Sequence, residues 1–362
     1  MLIEPFIFAC AGAVAVAVAY GGSLFAAQAR RLLDHPNERS SHATATPRIG
    51  GAAIMAGWVA GAFVICAFAG DIDAAGKLAR LALCGMLAFA LGYADDRMSF
   101  SPVWKLSGQV VIAALFVIFF APLKAAPLPW AGEIAIPAAV GVPLTMLWIA
   151  GFMNAFNFMD GANGMAGGAA AVGLAWFAVM ASFTGAPALA VAALLLALSS
   201  AAFLPENLLR GKLFMGDNGS QALGFFIAAF AVLGVNWTDG RLSALVVPVI
   251  FLPFIFDVTW TLISRFIRKQ NVFEAHREHF YQLIMRLGGS HARVAVIYMS
   301  LISFSAGAAI FMLALPASLH WLTPLALSLV FAAGGVVIYR QAGRKALLAS
   351  PALSGAALSA AE

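Results

Sequence analysis

An all-α polytopic membrane protein is the fold class the sequence predicts, on three observations: 62% of its 362 residues are hydrophobic, only 10% are charged, and long apolar runs recur from end to end. Soluble domains carry roughly 25% charged residues, and a helix that crosses a bilayer needs about 20 apolar residues. The mean hydropathy of +0.92 leaves no stretch for a separate soluble domain. Residues 1–340 read as a single transmembrane domain. Residues 341–362, rich in Ala and Ser with little to bury, read as a disordered cytoplasmic tail.

Polar breaks divide the chain into about eleven candidate helices, near 5–29, 49–69, 77–94, 104–121, 136–158, 165–184, 186–204, 219–236, 242–263, 293–315 and 319–339. The tight turn at Gly185, Ala186 and Pro187 separates the sixth from the seventh; a re-entrant segment there is the competing reading. With the N-terminus outside, the inner side collects Arg30, Arg31, Arg39, Arg48, Arg97, Lys105, Arg210, Lys212 and the basic residues of 265–293 and 340–345, against Lys77, Arg80, Lys124 and Arg241 outside. That bias predicts an N-out, C-in topology. Glu4 before the first apolar run and Arg30 and Arg31 after it argue against a cleaved signal peptide.

Cys10, Cys66 and Cys84 lie in apolar runs without metal-ligand spacing. The net charge of +5 resides in membrane loops and does not call for nucleic acid. The acids sort by side: Asp95, Asp96, Asp160, Asp217 and Asp257 all fall at inner helix ends. Ionisable groups in membrane segments are costly, and like charges on one face repel unless a cation joins them. Mg²⁺, with Mn²⁺ as the alternative ion, suits such a place because it takes oxygen ligands from one or two carboxylates plus substrate phosphates. The competing reading for each aspartate alone is a helix cap or a pairing with a nearby arginine.

Two glycine-flanked segments look suited to phosphate: Asn154 to Gly164, with Asn157, Asp160 and Gly161, and Gly216 to Ser220 around Asp217. Their glycines allow close backbone approach, and each precedes a helix whose N-terminal amides favour anions. The longest and most basic inner loop, 264–292, holds His276, Arg277, His279, Arg286 and His291. For most of these the plainer reading is an anchor on anionic lipid.

At these positions the chain resembles the polyprenyl-phosphate N-acetylhexosamine-1-phosphate transferase family. The likeness runs from Asp34 to Gly288 in ordered motifs: Asp34 to Pro36 with Arg39, His42 and Pro47 to Gly51; Asp95, Asp96 and Arg97 with Lys105; Asn154, Asn157, Asp160 and Gly161; Asn207 with Lys212 to Ser220; and Asp257, Arg265 and His276 to His279. The resemblance implies attack by a polyprenyl phosphate, such as undecaprenyl phosphate, on the β-phosphorus of a UDP-linked amino sugar, with UMP released at the cytoplasmic face of a bacterial inner membrane.

The resemblance also implies roles. Asp95, Asp96, Asp217 and His279 are the expected catalytic residues, with Asp217, Asp95 and Asp96 at the metal; which of Asp95 and Asp96 is base and which is ligand stays open. Arg48, Lys105, Asn154, Asn157, Asp160, Gly161, Asn207, Lys212, Phe214, Arg265 and Arg277 are the expected substrate contacts, Phe214 at the position where the family stacks uracil. Asp257 either pairs with Arg265 or acts directly. Asn163 stands where many relatives have an acid, and Tyr281 and Gln282 replace a histidine run. The pattern around His279 leans towards the branch that initiates O-antigen or capsule, rather than the peptidoglycan one. Whether two copies associate as a homodimer is left open. A cation-coupled secondary transporter is the alternative class, but it would place its site near the midplane. A CDP-alcohol phosphotransferase motif is not present around Asp160.

Overall fold

The computed structural model describes residues 3–29, 32–34, 45–68, 70, 72–271 and 276–348. Arg30, Arg31, His35, Pro36, Arg39, His42 and most of the expected tail lie outside the described residues. Among those described, ten helices are long and apolar enough to cross a membrane: α1 (Ile3–Ala26), α2 (Gly50–Phe68), α3 (Ile72–Met98), α4 (Pro102–Phe120), α5 (Ala138–Phe158), α6 (Met165–Phe183), α7 (Pro187–Leu204), α8 (Gly216–Thr238), α12 (His291–Leu313) and α13 (Leu322–Arg344). The hairpin between α6 and α7 forms at Gly185, whose φ of +88° suits a residue without a Cβ.

The expected span at 242–263 is not one helix. It divides into α9 (Val246–Ile250) and α10 (Leu252–Ile267), with Phe251 between them at φ −94° and ψ 15°. Pro248 and Pro253 lack the amide hydrogens that would carry an uninterrupted helix through this point. A further short helix, α11 (Phe280–Arg286), lies in the basic loop. Two small antiparallel pairs were not legible as strands: β1 (Leu33–Asp34) with β2 (Thr46–Pro47), and the hairpin β3 (Ala125–Leu128) with β4 (Gly132–Ala135).

The bundle is built round α8, whose most apolar window is 100% buried. Helices cannot use water to drive association inside a bilayer, so close packing of small residues does much of the work. A Cβ on Gly51 would lie 2.3 Å from the Gly219 backbone, and one on Gly92 only 2.1 Å from the Asp217 carbonyl oxygen. These approaches press α2 and α3 against the start of α8. Lower in the core, Phe226 packs against Trp58 with ring centroids 4.6 Å apart, and Phe177 stacks on Phe230 at 5.7 Å.

One end of the bundle thereby collects the last turn of α3, the first of α4, the last of α5 and the first of α8. Because α3 runs on to Met98 rather than stopping near residue 94, Asp95 and Asp96 sit on a helix instead of in a loop.

The α3 glycines provide a paired test. Gly92→Ala forces a methyl into the Asp217 carbonyl and is expected to cost about 1–3 kcal/mol, as overpacking does. Gly76→Ala on the same helix meets nothing within 4 Å and is expected to be neutral or stabilising by up to about 1 kcal/mol. Thermal unfolding of the two variants in detergent should shift in opposite directions, or only for Gly92→Ala.

Candidate active site

Lys105, in the first turn of α4, places its ammonium between two carboxylates, 2.8 Å from Asp95 Oδ2 and 2.5 Å from Asp217 Oδ2. It also donates to Asn157 Oδ1 at 3.0 Å. Asn157 in turn donates to Asp217 Oδ1 at 3.0 Å and to Ser220 Oγ at 2.8 Å. Four helix ends are thus tied through four side chains. Asp95 and Asp217 would repel each other in so little water; the shared cation offsets that repulsion.

Asp96 faces elsewhere. Its Oδ1 accepts from the Asp217 amide at 3.2 Å and lies 3.5 Å from Arg48 Nε, while Oδ2 accepts from the Asn218 amide at 3.0 Å and from Asn218 Nδ2 at 2.7 Å. A carboxylate has about four lone-pair sites; three accept hydrogen bonds here, and Arg48 adds an ion-pair contact. With its side chain 1% exposed, Asp96 works as a cap on the N-terminus of α8 supplied by another helix. Successive helical residues point about 100° apart, and of the two adjacent acids only Asp95 shares the Lys105 ammonium with Asp217.

Beneath these groups runs a buried polar chain. Asn154 Nδ2 donates to Gln109 Oε1 at 2.6 Å, and Gln109 Nε2 donates to Gln221 Oε1 at 2.9 Å. Asn154 therefore braces the site from behind rather than lining it. Gln109 and Gln221 were missed in the sequence, although each stands four residues, one helical turn, after Lys105 and Asp217. Arg48 is held over the same helix ends by donating to the Asp96 carbonyl at 2.5 Å.

Asp160 lies in the turn after α5. Its carboxylate has no hydrogen-bond partner among the described residues, and burial, with the nearby charges of Asp217 and Asp96, pushes its pKa well above the usual carboxylate range. Gly161 is packed so closely that a Cβ there would lie 2.0 Å from the Tyr281 hydroxyl. Tyr281 donates to the Phe158 carbonyl at 3.2 Å, which docks the loop carrying His279 onto the end of α5. His279 Nδ1 stands 3.1 Å from Asp257 Oδ1. Asp257 therefore pairs with His279, and not with Arg265.

Other expected contacts are engaged differently. Arg265, 4% exposed, lies 3.5 Å from Glu278 Oε1 and donates to the Asn271 carbonyl at 2.8 Å. It holds the loop's base rather than presenting its charge. Asn207 accepts from the Gly164 amide at 2.6 Å and donates to the Leu213 carbonyl at 2.8 Å, stapling two loops together. His291, read as a lipid anchor, accepts instead from the Asn163 amide at 3.1 Å. Lys212 is exposed and Phe214 and Arg277 are half-buried; the backbone of Phe214 pairs with Pro47 and Gly50.

No group of three or more His, Cys, Asp or Glu among the described residues forms a ready metal cage. Mg²⁺ does not need one when substrate phosphates complete its shell. Asp217, with its side chain 31% exposed and one lone pair left on each oxygen, fits such an ion, with Asp95 beside it. Asp96 does not.

Capping and metal binding can be told apart by stability. Asp96→Asn turns an N–H₂ towards donors that need an acceptor and is expected to cost about 1–3 kcal/mol, seen as a lower melting temperature. For Asp160 the sign is opposite. A carboxyl whose folded pKa is raised withdraws stability as pH climbs from its unfolded to its folded value. In chelator-containing buffer, Asp160→Asn should melt higher than the parent, with a wider gap at pH 8 than at pH 5; a pH-independent gap contradicts the assignment.

Comparison with known proteins agrees with this geometry. Residues 78–235 match the model of Glycosyl transferase family 4, a span from α3 to α8. A Bacillus subtilis (strain 168) protein named "Probable undecaprenyl-phosphate N-acetylglucosaminyl 1-phosphate transferase" is 33% identical over 273 residues, covering 75% of this chain and 74% of its own. The Mycobacterium tuberculosis (strain H37Rv) decaprenyl-phosphate N-acetylglucosaminephosphotransferase is 29% identical over 306 residues, 76% of this chain and 75% of its own. A Staphylococcus epidermidis phospho-N-acetylmuramoyl-pentapeptide-transferase is 24% identical over 254 residues, 66% of this chain and 76% of its own. With its carboxylates gathered at one end of an α-helical membrane bundle and relatives matched along three quarters of its length, the chain belongs to glycosyltransferase family 4, the polyprenyl-phosphate N-acetylhexosamine-1-phosphate transferases.

Proposed function

We propose that the protein transfers an N-acetylhexosamine 1-phosphate from a UDP-sugar to undecaprenyl phosphate on the cytoplasmic side of the inner membrane, as the first membrane step of a cell-surface polysaccharide. The observation that carries this reading is the Lys105 ammonium shared by Asp95 and Asp217 at the N-terminus of α8. Phosphoryl-type transfer is chiefly positioning plus neutralisation of charge, and this arrangement offers cation, carboxylate and helix amides at one point.

An oxygen of the lipid phosphate attacks the β-phosphorus of the nucleotide sugar; the new O–P bond forms as the bond to the α–β bridging oxygen breaks, and UMP leaves with that oxygen. Asp95, beside Lys105 and with Oδ1 accepting from the Phe100 amide at 2.8 Å, is the acid to take the lipid phosphate's proton where one is present. Lys105 and Arg48 steady phosphate oxygens. Asn157 orients Asp217, the residue best suited to hold Mg²⁺, which when bound neutralises the diphosphate. Phe214 and Lys212 stand on the loop beside α8 where the base of the nucleotide would lie.

Two further features support the reading. An apolar cavity of about 330 Å³ lined by Leu144, Leu147, Trp148, Phe152, Ile255 and Val258 runs between α5 and α10 below Asn157, a fitting path for an isoprenoid chain. Basic residues crowd the end that holds the carboxylates, which favours the cytosol for that end. The N-acetylglucosaminyl relatives make UDP-GlcNAc the first donor to test; the motif around His279 favours an O-antigen or capsule pathway.

In detergent with Mg²⁺, undecaprenyl phosphate and a panel of UDP-N-acetylhexosamines, the protein should release UMP, and chelation should stop it. Asp217→Asn should fall by at least about 100-fold in kcat while still folding, since a charged ligand becomes neutral. No release from any donor by a folded sample removes the proposal.

A further inference from the structure

Asp257 is 1% exposed, and its two oxygens are wholly engaged. Oδ1 accepts from the Phe280 amide at 2.9 Å and from Thr261 Oγ1 at 3.3 Å, and meets His279 Nδ1 at 3.1 Å. Oδ2 accepts from the Tyr281 amide at 3.3 Å and from the Tyr298 hydroxyl. Every one of the other groups is placed as a donor, so the carboxylate serves them all as an acceptor. The proton between it and His279 therefore belongs to Nδ1.

The imidazole is clamped as well as paired. Its ring stacks between Phe158 at 6.2 Å and Tyr281 at 5.9 Å, with His276 5.0 Å away. Burial and the neighbouring His279 and Arg265 push the pKa of His276 down to about 4, so that neighbour is neutral near pH 7. Phe158 is the last residue of α5 and follows Asn157, which touches Asp217. His279 Nε2 has no hydrogen-bond partner among the described residues, although Nδ1 is fixed. Two amides alone would suffice to dock α11 on Asp257; the spent imidazole nitrogen and the idle one need another explanation.

We propose, resting on the function given above, that Asp257, backed by Tyr298, is a positioning residue that fixes His279 as the Nδ1–H tautomer and leaves Nε2 for the substrate. Nε2, unprotonated in that tautomer, then accepts from a substrate hydroxyl beside Asp160 and Asp217. Tyr298, from α12, keeps Asp257 from turning away. Partners of this kind, one bond removed from the group that meets the substrate, change rates by roughly 10- to 100-fold when removed.

The test has two arms. Histidine-selective nitrogen NMR on the full chain in detergent, with His279→Gln to identify the signal, should show His279 as Nδ1–H in the parent and shifted towards Nε2–H in Asp257→Asn. In the UMP-release assay, Asp257→Asn should lose about 10- to 100-fold in kcat with KM little changed, and Asp257→Asn combined with His279→Gln should be no slower than His279→Gln alone. Tyr298→Phe should move both readouts the same way by less, and carries the test should Asp257→Asn fail to fold. An unchanged tautomer, or losses that multiply in the double variant, overturns the proposal. A parent inert towards every UDP-sugar overturns the function instead, while the tautomer still decides the role of Asp257.

Discussion

The ammonium of Lys105, bonded at once to Asp95 and Asp217, is the contact on which the remaining architecture depends. Carboxylates brought this close at the edge of an apolar bundle are costly unless a cation joins them, and the chain supplies that cation from a third helix. For Lys105 to reach both, α3, α4 and α8 must meet within a few ångströms. The bare backbone of Gly92 against the Asp217 carbonyl makes that approach feasible. Asp96 then completes the joint by accepting from the first free amides of α8. The same adjacent pair of acids thus solves a folding problem with one residue and presents charge with the other.

This division explains why the motif residues do not all point at one spot. Asn154 and Asn157 lie one turn apart on α5: the lower one is bound into the Gln109 and Gln221 chain, and the upper one touches Asp217. Although Gln221 Nε2 itself has no hydrogen-bond partner among the described residues, such a chain in a dry core gains from each bond made. Its geometry restricts where α4, α5 and α8 can sit relative to one another, and hence where Lys105 and Asp217 meet. Asn207 and Arg265 serve the same end in the loops.

Composition made the membrane bundle plain, because twenty-odd apolar residues in a row have few other uses, and the glycine and proline at 185 and 187 marked the hairpin between α6 and α7. The break at Phe251 was less visible: Pro248 and Pro253 were in view, but apolar periodicity runs through them. Convergence of Asp95, Lys105, Asn157 and Asp217 was foreseeable from their positions at helix ends on one side. What distinguished Asp95 from Asp96 was rotation about α3, which neighbouring letters do not display. Gln109 and Gln221 carried a usable signal, a polar residue one turn inside from a charged one, whereas the pairing of Asp257 with His279 depends on a loop returning over α5 and had none.

That return is the second joint of the molecule. The interrupted ninth span lets α10 start afresh at Leu252, which brings Asp257 to the level of the loop rather than to the lipid. Tyr281 reaches the end of α5 because residue 161 has no side chain to obstruct it. The end of α5 is therefore shared: Asn157 grips Asp217, while Phe158 and Gly161 receive Tyr281 of the His279 loop. A displacement of α5 at this point would move both partners together, so one helix end couples the carboxylate cluster to the imidazole that Asp257 and Tyr298 hold from α10 and α12.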